Sequence, residues 1–389
     1  MTKSFPILSI FFFFVWFLLD CHASLPTYLF ERKLKADINP SHLPVVFVPG
    51  IKGSILKDQA GSTRWLTASQ ALGFSTPDLR LTGESKDLIP SGAVERVTAI
   101  PRIIDVDLYG PWLAEMSGAE GVDFYVFSYD WRKDNLNSRD QLLSFLKEIS
   151  LKYKTKPALI GHSMGGMLSF SAVNQDPSIV SKLILVGVPF RGGIGYMKDL
   201  YQGNSTGFNS KIQGPCMIAK YESVYSFFPR LGTKDSQGLV LDQSGVEIPV
   251  DFFKESAWKE YGFGFYGQKC SESEIPNTLA FQNILNKAKL FRESLDLTPK
   301  MIKAQPPILL INAKNNPTRK AIQSIGNRWD LDIIPREEGD GSVLLEHSIP
   351  QPGLIYETVR TQKEHSVMLN DPAVQKRILE FLSKGTSGN

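Results

Sequence analysis

A serine between two glycines is the residue of this sequence best placed for covalent chemistry. Gly161, Ser163 and Gly165 form a G-x-S-x-G pattern that follows the short apolar run 157–160. A strand, a tight turn and a helix in that order make a nucleophile elbow, which holds the serine hydroxyl clear of the backbone. Bulky side chains two residues away would clash in such a turn, so glycine is expected on both sides. The pattern therefore predicts that Ser163 is a nucleophile.

Two residues late in the chain could activate this serine. Asp340 lies between two glycines, and His365 precedes the last predicted helix. Serine, acid and histidine in that order match the chain order of the α/β-hydrolase triad. His365 would take the proton of Ser163 and later return it to the leaving group, while Asp340 would hold the imidazole and stabilise its charge. We predict a catalytic triad of Ser163, Asp340 and His365.

Other titratable residues compete for these roles. His347 follows the acid closely and precedes a proline-rich stretch, whereas His42 lies before the first strand. His162 belongs to the elbow, and its side chain is expected to point away from the site. The rival acids are Glu337, Glu338, Asp332 and Asp130.

An oxyanion hole requires two fixed amide donors near the nucleophile. The apolar run 43–48 ends in the glycine-bearing loop 49–54, which is where an α/β-hydrolase places one of the donors. The N–H of Lys52, paired with the N–H of Met164 after the nucleophile, would stabilise the negative charge of a tetrahedral intermediate. A plain Pro-Gly turn is the alternative for this loop.

The elements that must position these residues alternate along the chain. Apolar runs predict strands at 43–48, 124–128, 157–160, 183–188, 308–312 and 331–334. Helical patterns occur at 139–153 with Asn137 or Ser138 as N-cap, at 164–174, at 278–295, near 318–325 and after the N-cap Asp371. This alternation indicates parallel βαβ units with ligands at the carboxyl ends of the strands. We predict an α/β-hydrolase fold, a mostly parallel sheet flanked by helices.

Two segments interrupt the alternation. The region of about 54–93 is predicted as a lid loop, in which Trp65 would contact lipid. Packing of its apolar side chains back onto the body is the alternative. The region of about 194–305 is predicted as an inserted cap, whose aromatic residues line an acyl-chain pocket or form an ordinary small core.

The N-terminus has the pattern of an export signal. Lys3 precedes an apolar run at 5–19, and a small residue, Ala23, ends the segment. Residues 1–23 are therefore predicted to be a cleaved signal peptide, which leaves 24–389 as the α/β-hydrolase domain of a secreted or extracytoplasmic protein. Lipid attachment at Cys21 and an uncleaved anchor are the alternatives. Cys216 and Cys270 then remain, either as one disulfide or as two free thiols.

Composition excludes several classes of function. The chain has 389 residues, 42% of them hydrophobic and 21% charged, so it can bury a large core. Its net charge of +3, without a Lys/Arg block, argues against a nucleic-acid partner. The five histidines are scattered and no C-x-x-C occurs, so neither a metal site nor a cofactor is expected.

Several motifs together resemble the lecithin:cholesterol acyltransferase family. They are the 48–54 loop, Trp65, the Tyr-Asp-Trp-Arg motif at 129–132, the elbow at 161–166, the turn at 187–193 and Gly-Asp-Gly-Ser-Val at 339–343. The resemblance implies an α/β-hydrolase fold with cap and lid, and acyl transfer from a lipid ester to an alcohol or water. The triad would fall on Ser163, Asp340 and His365, and the oxyanion donors on Lys52 and Met164. Unlike the animal members of the family, this chain has no cysteine flanking Trp65, and its turn reads Gly-Val-Pro-Phe-Arg-Gly-Gly.

Three functional hypotheses follow. The first is a secreted or envelope-associated lipid acyl hydrolase or acyltransferase, similar to phospholipase A or lecithin:cholesterol acyltransferase, that acts through an acyl-enzyme. Its substrate would be a phospholipid or another acyl lipid, met at a membrane or lipoprotein surface. The second is a soluble carboxylesterase or thioesterase that acts on non-lipid esters. The third, a catalytically silent lipid-binding protein, is disfavoured by the complete triad.

Overall fold

A computed structural model describes residues 38–100, 104–267, 270–326, 328–331 and 336–384. The predicted signal peptide, Cys21 and the rival acid Asp332 lie outside these residues. Within the described ranges, no helix combines the length and the apolar character needed to cross a membrane.

Short strands and helices alternate through the described residues. The strands are β1 (Leu43–Val48), β2 (Ser54–Lys57), β3 (Thr63–Trp65), β4 (Ile89–Ala93), β5 (Arg96–Ile100), β6 (Ile104–Asp107), β7 (Val122–Val126), β8 (Ala158–His162), β9 (Lys182–Val186), β10 (Asn204–Thr206), β11 (Asn209–Gln213), β12 (Val240–Leu241), β13 (Ile308–Ala313), β14 (Asn316–Arg319), β15 (Ile322–Ile325), β16 (Arg328–Asp330), β17 (Arg336–Gly339) and β18 (Glu357–Thr361). The α-helices are α1 (Ala68–Ala71), α2 (Gly110–Gly118), α3 (Asn135–Tyr153), α4 (Met164–Gln175), α5 (Met197–Gln202), α6 (Pro215–Ile218), α7 (Glu255–Glu260), α8 (Thr278–Glu293), α9 (Pro299–Ala304) and α10 (Pro372–Ser383).

Six parallel strands form the central sheet in the order β18-β13-β9-β8-β1-β7. Strand β8, which leads into the elbow, lies near the middle, between β1 and β9. Gly161 of β8 is level with Val48 of β1 and with Leu185 of β9. Because the strands are parallel and in register, the loops that follow them emerge at one edge of the sheet.

Both faces of the sheet are covered. On β1, Val46 and Val48 belong to one buried core cluster, while Val45 and Phe47 belong to the other. Side chains of a strand alternate between faces, so a strand with a core on each side has no polar positions. Helices α3 and α4 contribute to the first cluster, and α2 and α10 to the second. The α/β-hydrolase architecture predicted from the sequence is confirmed.

The predicted N-cap of helix α3 is wrong by a few residues. The helix begins at Asn135, and the carboxylate of Asp134 caps it by accepting a hydrogen bond from the N–H of Asn137 at 2.9 Å. A carboxylate at this position also interacts favourably with the helix dipole, which explains why the helix starts before the predicted cap residues Asn137 and Ser138. The cap of α10 is Asp371, as predicted.

The helix predicted near 318–325 is also wrong. Strands β14 and β15 occupy this segment. Strand β14 pairs antiparallel with β17, and β15 pairs with both β12 and β16. The pairings of β14 with β17 and of β15 with β12 join residues far apart in the chain, so they override a local helical pattern.

The strand predicted at 331–334 is not observed at Leu331, and residues 332–335 lie outside the described ranges. The edge of the sheet beside β13 is formed instead by β18. Strand β18 alternates exposed and partly buried residues and only its last residue, Thr361, is buried, because it lies at the edge of the sheet; it therefore has no continuous apolar run.

The two interrupting segments are more ordered than loops. In the 54–93 region, β2 pairs antiparallel with β3 and with β4. Between β9 and β13 the described residues add no strand to the central sheet, and this segment holds helices α5 to α9. A disulfide joins Cys216 to Cys270, with an S–S distance of 2.07 Å, which decides between the two thiol states left open by the sequence. The assignment of these segments as lid and cap remains a prediction.

Candidate active site

The turn after β8 holds Ser163 in a strained conformation. Its φ of 55° and ψ of −123° place a non-glycine residue at positive φ, directly before helix α4. Gly161 and Gly165, the two glycines predicted to flank the serine, are required because a side chain at either position would clash. A Cβ on Gly161 would lie 2.6 Å from the Cα of Gly166, and one on Gly165 would overlap the carbonyl oxygens of Val48 and Pro49. The elbow thus packs directly onto the end of β1.

The structure brings the three predicted triad residues together. The Nε2 of His365 lies 2.8 Å from the Oγ of Ser163, and its Nδ1 lies 2.7 Å from the Oδ2 of Asp340. A further bond runs from the backbone N–H of His365 to the carbonyl oxygen of Asp340, at 2.9 Å. The acid and the histidine, 25 positions apart, are therefore fixed to each other by both side chain and backbone.

Asp340 is held as a carboxylate by its surroundings. It is only 2% exposed, and its Oδ1 accepts hydrogen bonds from the N–H groups of Ser342 and Val343 at 2.9 and 2.6 Å. Burial alone would raise the pKa of this carboxyl, but His365 and the two amides outweigh it and hold the pKa below its ordinary value. The turn itself needs Gly341, whose φ is 91°. The pairing of β14 with β17 carries this turn to the edge of the sheet.

The loop after β1 lies directly against the nucleophile. A Cβ on Gly50 would be 3.0 Å from the Cβ of Ser163, so the two backbones are in contact. Met164 is the first residue of α4, and the first N–H groups of a helix have no intrahelical acceptor. Lys52, two residues after Gly50, has a φ of 64°. These positions bring the two predicted oxyanion donors to the same edge of the sheet as Ser163.

The contacts that the side chain of Lys52 makes were not predicted from the sequence. The side chain of Lys52 is largely buried, and its ammonium group forms an ion pair with Asp199 at 3.2 Å and lies 5.5 Å from the ring centre of Tyr196. Burial lowers the pKa of Lys52, although Asp199 opposes the shift. Asp199 comes from helix α5, so this contact ties the loop after β1 to the segment that follows β9.

Trp65 does not contact a lipid surface in this conformation. It is 3% exposed, its ring packs edge-on against Trp131 at 5.3 Å, and its Nε1 donates to the carbonyl oxygen of Lys52 at 2.8 Å. Its apolar ring is buried by β3 packing back onto the body, which was the alternative left open by the sequence. Phe74, by contrast, is 81% exposed. Trp65 therefore anchors the loop that carries Lys52.

His162 has a structural connection to the site that the sequence analysis missed. Its ring lies 5.0 Å from that of His365, and its Nε2 lies 2.9 Å from the carbonyl oxygen of His365. Its Nδ1 lies 2.7 Å from the hydroxyl of Tyr109, which also accepts the N–H of Gly50 at 3.0 Å. The expectation that this side chain points away from the site is wrong: it lies behind the predicted catalytic histidine.

These contacts assign the proton of His162. The Tyr109 oxygen accepts from Gly50, so its own proton is donated to Nδ1 of His162, and Nε2 carries the proton that is donated to His365. Burial lowers the pKa of His162 to about 3, with the nearby His365 adding to the shift. A neutral imidazole therefore links the loop after β1 to the backbone of His365. No sequence signal marks Tyr109, because it adjoins the site only in the fold.

The rival residues within the described ranges have other partners. His347 is buried beside Gly193, and its carbonyl oxygen accepts the N–H of Arg191. His42 contacts Asp123 at the start of the sheet. Asp130 forms an ion pair with the buried Arg132 at 2.7 Å. The exposed Glu337 and Glu338 lie on β17.

Parts of this chain are similar to known proteins. A family model for lecithin:cholesterol acyltransferase matches residues 111–280. An uncharacterized protein of Saccharomyces cerevisiae is 22% identical over 302 residues, which cover 74% of this chain and 44% of the yeast protein. The lecithin-cholesterol acyltransferase-like 4 protein of Arabidopsis thaliana is 27% identical over 206 residues, which cover 43% of this chain and 38% of the plant protein. The matches thus span less than half the length of either relative.

Among solved structures, a chain of the Tle4-Tli4 complex superposes with a TM-score of 0.51 at 12% identity, covering 88% of this chain and 98% of that one. At this identity the superposition is informative about the fold alone. The match over residues 111–280 and the plant relative therefore show that this part of the chain is similar to the lecithin:cholesterol acyltransferase family.

Proposed function

We propose that this protein is a lipid acyl hydrolase or acyltransferase that forms an acyl-enzyme on Ser163. The observation that carries the proposal is the hydrogen-bonded series from Ser163 through His365 to Asp340, with distances of 2.8 and 2.7 Å. Nucleophile, base and an orienting acid within such reach are the arrangement required for acyl transfer. The similarity of residues 111–280 to the lecithin:cholesterol acyltransferase family supports ester hydrolase or acyltransferase chemistry in general.

Acylation would begin when the Oγ of Ser163 attacks the carbonyl carbon of an ester. His365 Nε2 takes the hydroxyl proton, and Asp340 stabilises the imidazolium that forms. The former carbonyl oxygen becomes negative and is stabilised by the N–H groups of Lys52 and Met164. His365 then gives its proton to the alcohol oxygen as the carbon–oxygen bond breaks, which leaves the acyl group on Ser163.

Deacylation would repeat these steps with a second nucleophile. His365 removes a proton from water or from an alcohol, whose oxygen attacks the acyl carbon. Collapse of the second intermediate returns a proton to Ser163 Oγ and releases a fatty acid or a new ester. The choice between hydrolysis and transfer depends on which acceptor reaches the acyl-enzyme first.

The lipid character of the substrate is supported by the family and by the name of the plant relative. We place the enzyme outside the cytoplasm, with residues 1–23 as a cleaved signal peptide or a lipid anchor at Cys21, and in contact with a membrane or lipoprotein surface. The exposed ring of Phe74 is suited to such contact. Mass spectrometry of the mature N-terminus after expression of the full chain would distinguish cleavage after residue 23 from lipidation of Cys21.

The test of function compares the parent protein with Ser163→Ala and with a surface control, Ser178→Ala, whose side chain is exposed. Each is incubated with p-nitrophenyl butyrate, and with phosphatidylcholine vesicles with and without an added long-chain alcohol. We expect the parent and the control to release acid and, with alcohol, to form a new ester detectable by lipid mass spectrometry. Ser163→Ala should lose at least about a thousandfold in kcat on both substrates.

The alternatives give different results. Activity on the soluble ester alone would favour the carboxylesterase or thioesterase hypothesis. A parent protein that turns over neither substrate, and is not labelled at Ser163 by a fluorophosphonate, would contradict the proposal and leave lipid binding as the remaining hypothesis.

A further inference from the structure

A cavity of about 170 Å³ lies apart from the triad, between the end of helix α8 and the loops after β9. None of the triad residues lines it. Its charged lining is formed by three arginines and two aspartates: Arg191, Arg230, Arg292, Asp235 and Asp296. Phe170 and Phe190, packed edge-on at 5.1 Å, form an apolar part of the wall. The proposed acyl-transfer mechanism uses none of these groups.

Arg292 is the unusual member of this lining. It is 6% exposed, and within the described residues it forms no ion pair with a carboxylate. Its Nη1 donates to the carbonyl oxygen of Pro189 at 3.1 Å and contacts the sulfur of Met167 at 3.6 Å, while its Nη2 donates to the carbonyl oxygen of Phe190 at 2.5 Å. A guanidinium has five N–H donors, so two have no acceptor in the described part of the chain.

The other charges of the lining do not neutralise Arg292. Arg230 pairs with Asp296 at 2.6 Å, and Arg191 pairs with Asp235 at 3.5 Å. Asp296 also accepts a hydrogen bond from Gln351 at 2.9 Å. With the two carboxylates paired, one positive charge remains. Burial lowers the pKa of Arg292 to about 10, helped by Arg230 and opposed by the two aspartates, so the side chain is still charged at neutral pH.

A buried charge without a counter-ion is costly, and anion binding would remove that cost. A guanidinium fork matches the oxygens of a phosphate group in spacing and direction. Since a water molecule takes about 30 Å³, the cavity has room for one tetrahedral oxyanion with a few waters. Arg191 and Arg230 are partly exposed and lie at the mouth, where they can attract an anion from solvent.

We propose that this cavity is a binding site for a phosphate group, with Arg292 as the buried ligand and Arg191 and Arg230 as the outer ones. Free inorganic phosphate and the head group of an acidic phospholipid present the same chemistry, so the experiment includes both. The site does not depend on the proposed acyl transfer, because its test measures binding and not turnover.

The experiment titrates the intact, oxidised protein with sodium phosphate by isothermal calorimetry and thermal unfolding, and with sodium chloride at equal ionic strength as the salt control. A second series uses dihexanoyl phosphatidic acid below its micelle concentration. We expect saturable one-to-one binding of at least one phosphate probe. Saturating phosphate should raise the Tm by about 3 °C or more, whereas chloride should not.

Two cavity variants and one control test the location. Arg292→Met should abolish the binding. Because this change also removes the bonds to the loop after β9, Arg191→Gln at the mouth serves as a second variant, with an expected loss of affinity of about tenfold. Arg80→Gln removes an equal charge from an exposed ion pair elsewhere and should bind as the parent does.

The outcomes distinguish the two possible sources of the phosphate group, and two of them would contradict the proposal. Binding of inorganic phosphate points to a free anion, whereas binding of the lipid probe alone points to a lipid head group. Equal effects of phosphate and chloride would overturn the proposal. Binding that survives both Arg292→Met and Arg191→Gln would also overturn it and would leave Arg292 as a residue that only fastens the carbonyls of Pro189 and Phe190.

Discussion

Replacing His162 by glutamine should change how the stability of this protein depends on pH. In the folded chain His162 is neutral and buried between Tyr109 and the carbonyl oxygen of His365. Its pKa is about 3, against 6.5 for an ordinary histidine. Glutamine keeps a donor that can reach the carbonyl oxygen but cannot be protonated. The variant therefore removes the titration while keeping part of the contact.

The expected change in the free energy of unfolding follows from the pKa values of His162 in the folded and unfolded chain. The unfolded chain protonates His162 as the pH falls below about 6.5, whereas the folded chain does so only near pH 3, so acid favours unfolding over this window. Between pH 7 and pH 4 this one residue should lower the free energy of unfolding by about 3 kcal/mol. A folded pKa one unit higher would change this figure little, because pH 4 would still lie at or above it.

The assay is urea unfolding of the oxidised parent and variant at pH 7 and pH 4. At pH 7 the variant can be less stable than the parent, because part of the contact is lost. At pH 4 we expect the difference in free energy of unfolding between parent and variant to have moved by about 3 kcal/mol in favour of the variant. Tyr109→Phe is the matched control: it keeps His162, so it should keep most of the parent's dependence on pH. It should nevertheless be less stable, by about 1–3 kcal/mol for each of the two groups left without a partner.

Equal losses of stability in parent and His162→Gln between pH 7 and pH 4 would refute this reasoning. The histidine would then not be the buried neutral group that links Tyr109 to His365.

Three further predictions concern the acid, the elbow and the disulfide. Asp340→Asn should lower kcat on a soluble ester by about ten-thousandfold with KM nearly unchanged, because an amide in place of the carboxylate favours the wrong tautomer of His365; a loss below tenfold would exclude Asp340 as the orienting acid. Gly165→Ala should destabilise the protein by about 3 kcal/mol or more, since a Cβ there overlaps two carbonyl oxygens, whereas Gly118→Ala, where the added Cβ meets nothing within 4 Å, should leave the urea midpoint nearly unchanged. The Cys216→Ser/Cys270→Ser double variant should lose up to about 4 kcal/mol of unfolding free energy, because the bond joins residues 54 positions apart; an unchanged urea midpoint would contradict this account.

The local pattern of apolar residues made much of the fold predictable from the sequence. Strand β1 is a continuous apolar run in the sequence because it is buried on both faces. By contrast, β14 and β15 exist because they pair with distant strands, and their own residues carry no strand pattern strong enough to exclude a helix. Edge strand β18 was not predicted for a related reason: its residues alternate between exposed and partly buried, and only Thr361 is buried. The periodicity of apolar residues indicates which residues are buried. It does not predict a strand that forms because it pairs with a distant strand.

The candidate site divides in the same way. The sequence by itself determined the nucleophile elbow, since the glycines on both sides of Ser163 are a local steric requirement, and it determined the chain order of the triad. Only the tertiary structure decided which partners surround these residues: the relay from Tyr109 through His162 to His365, and the ion pair of Lys52 with Asp199. The physical reason is distance along the chain. A turn is specified by a few neighbouring residues, whereas a contact between residues far apart in sequence exists only after the sheet has brought their loops to one edge.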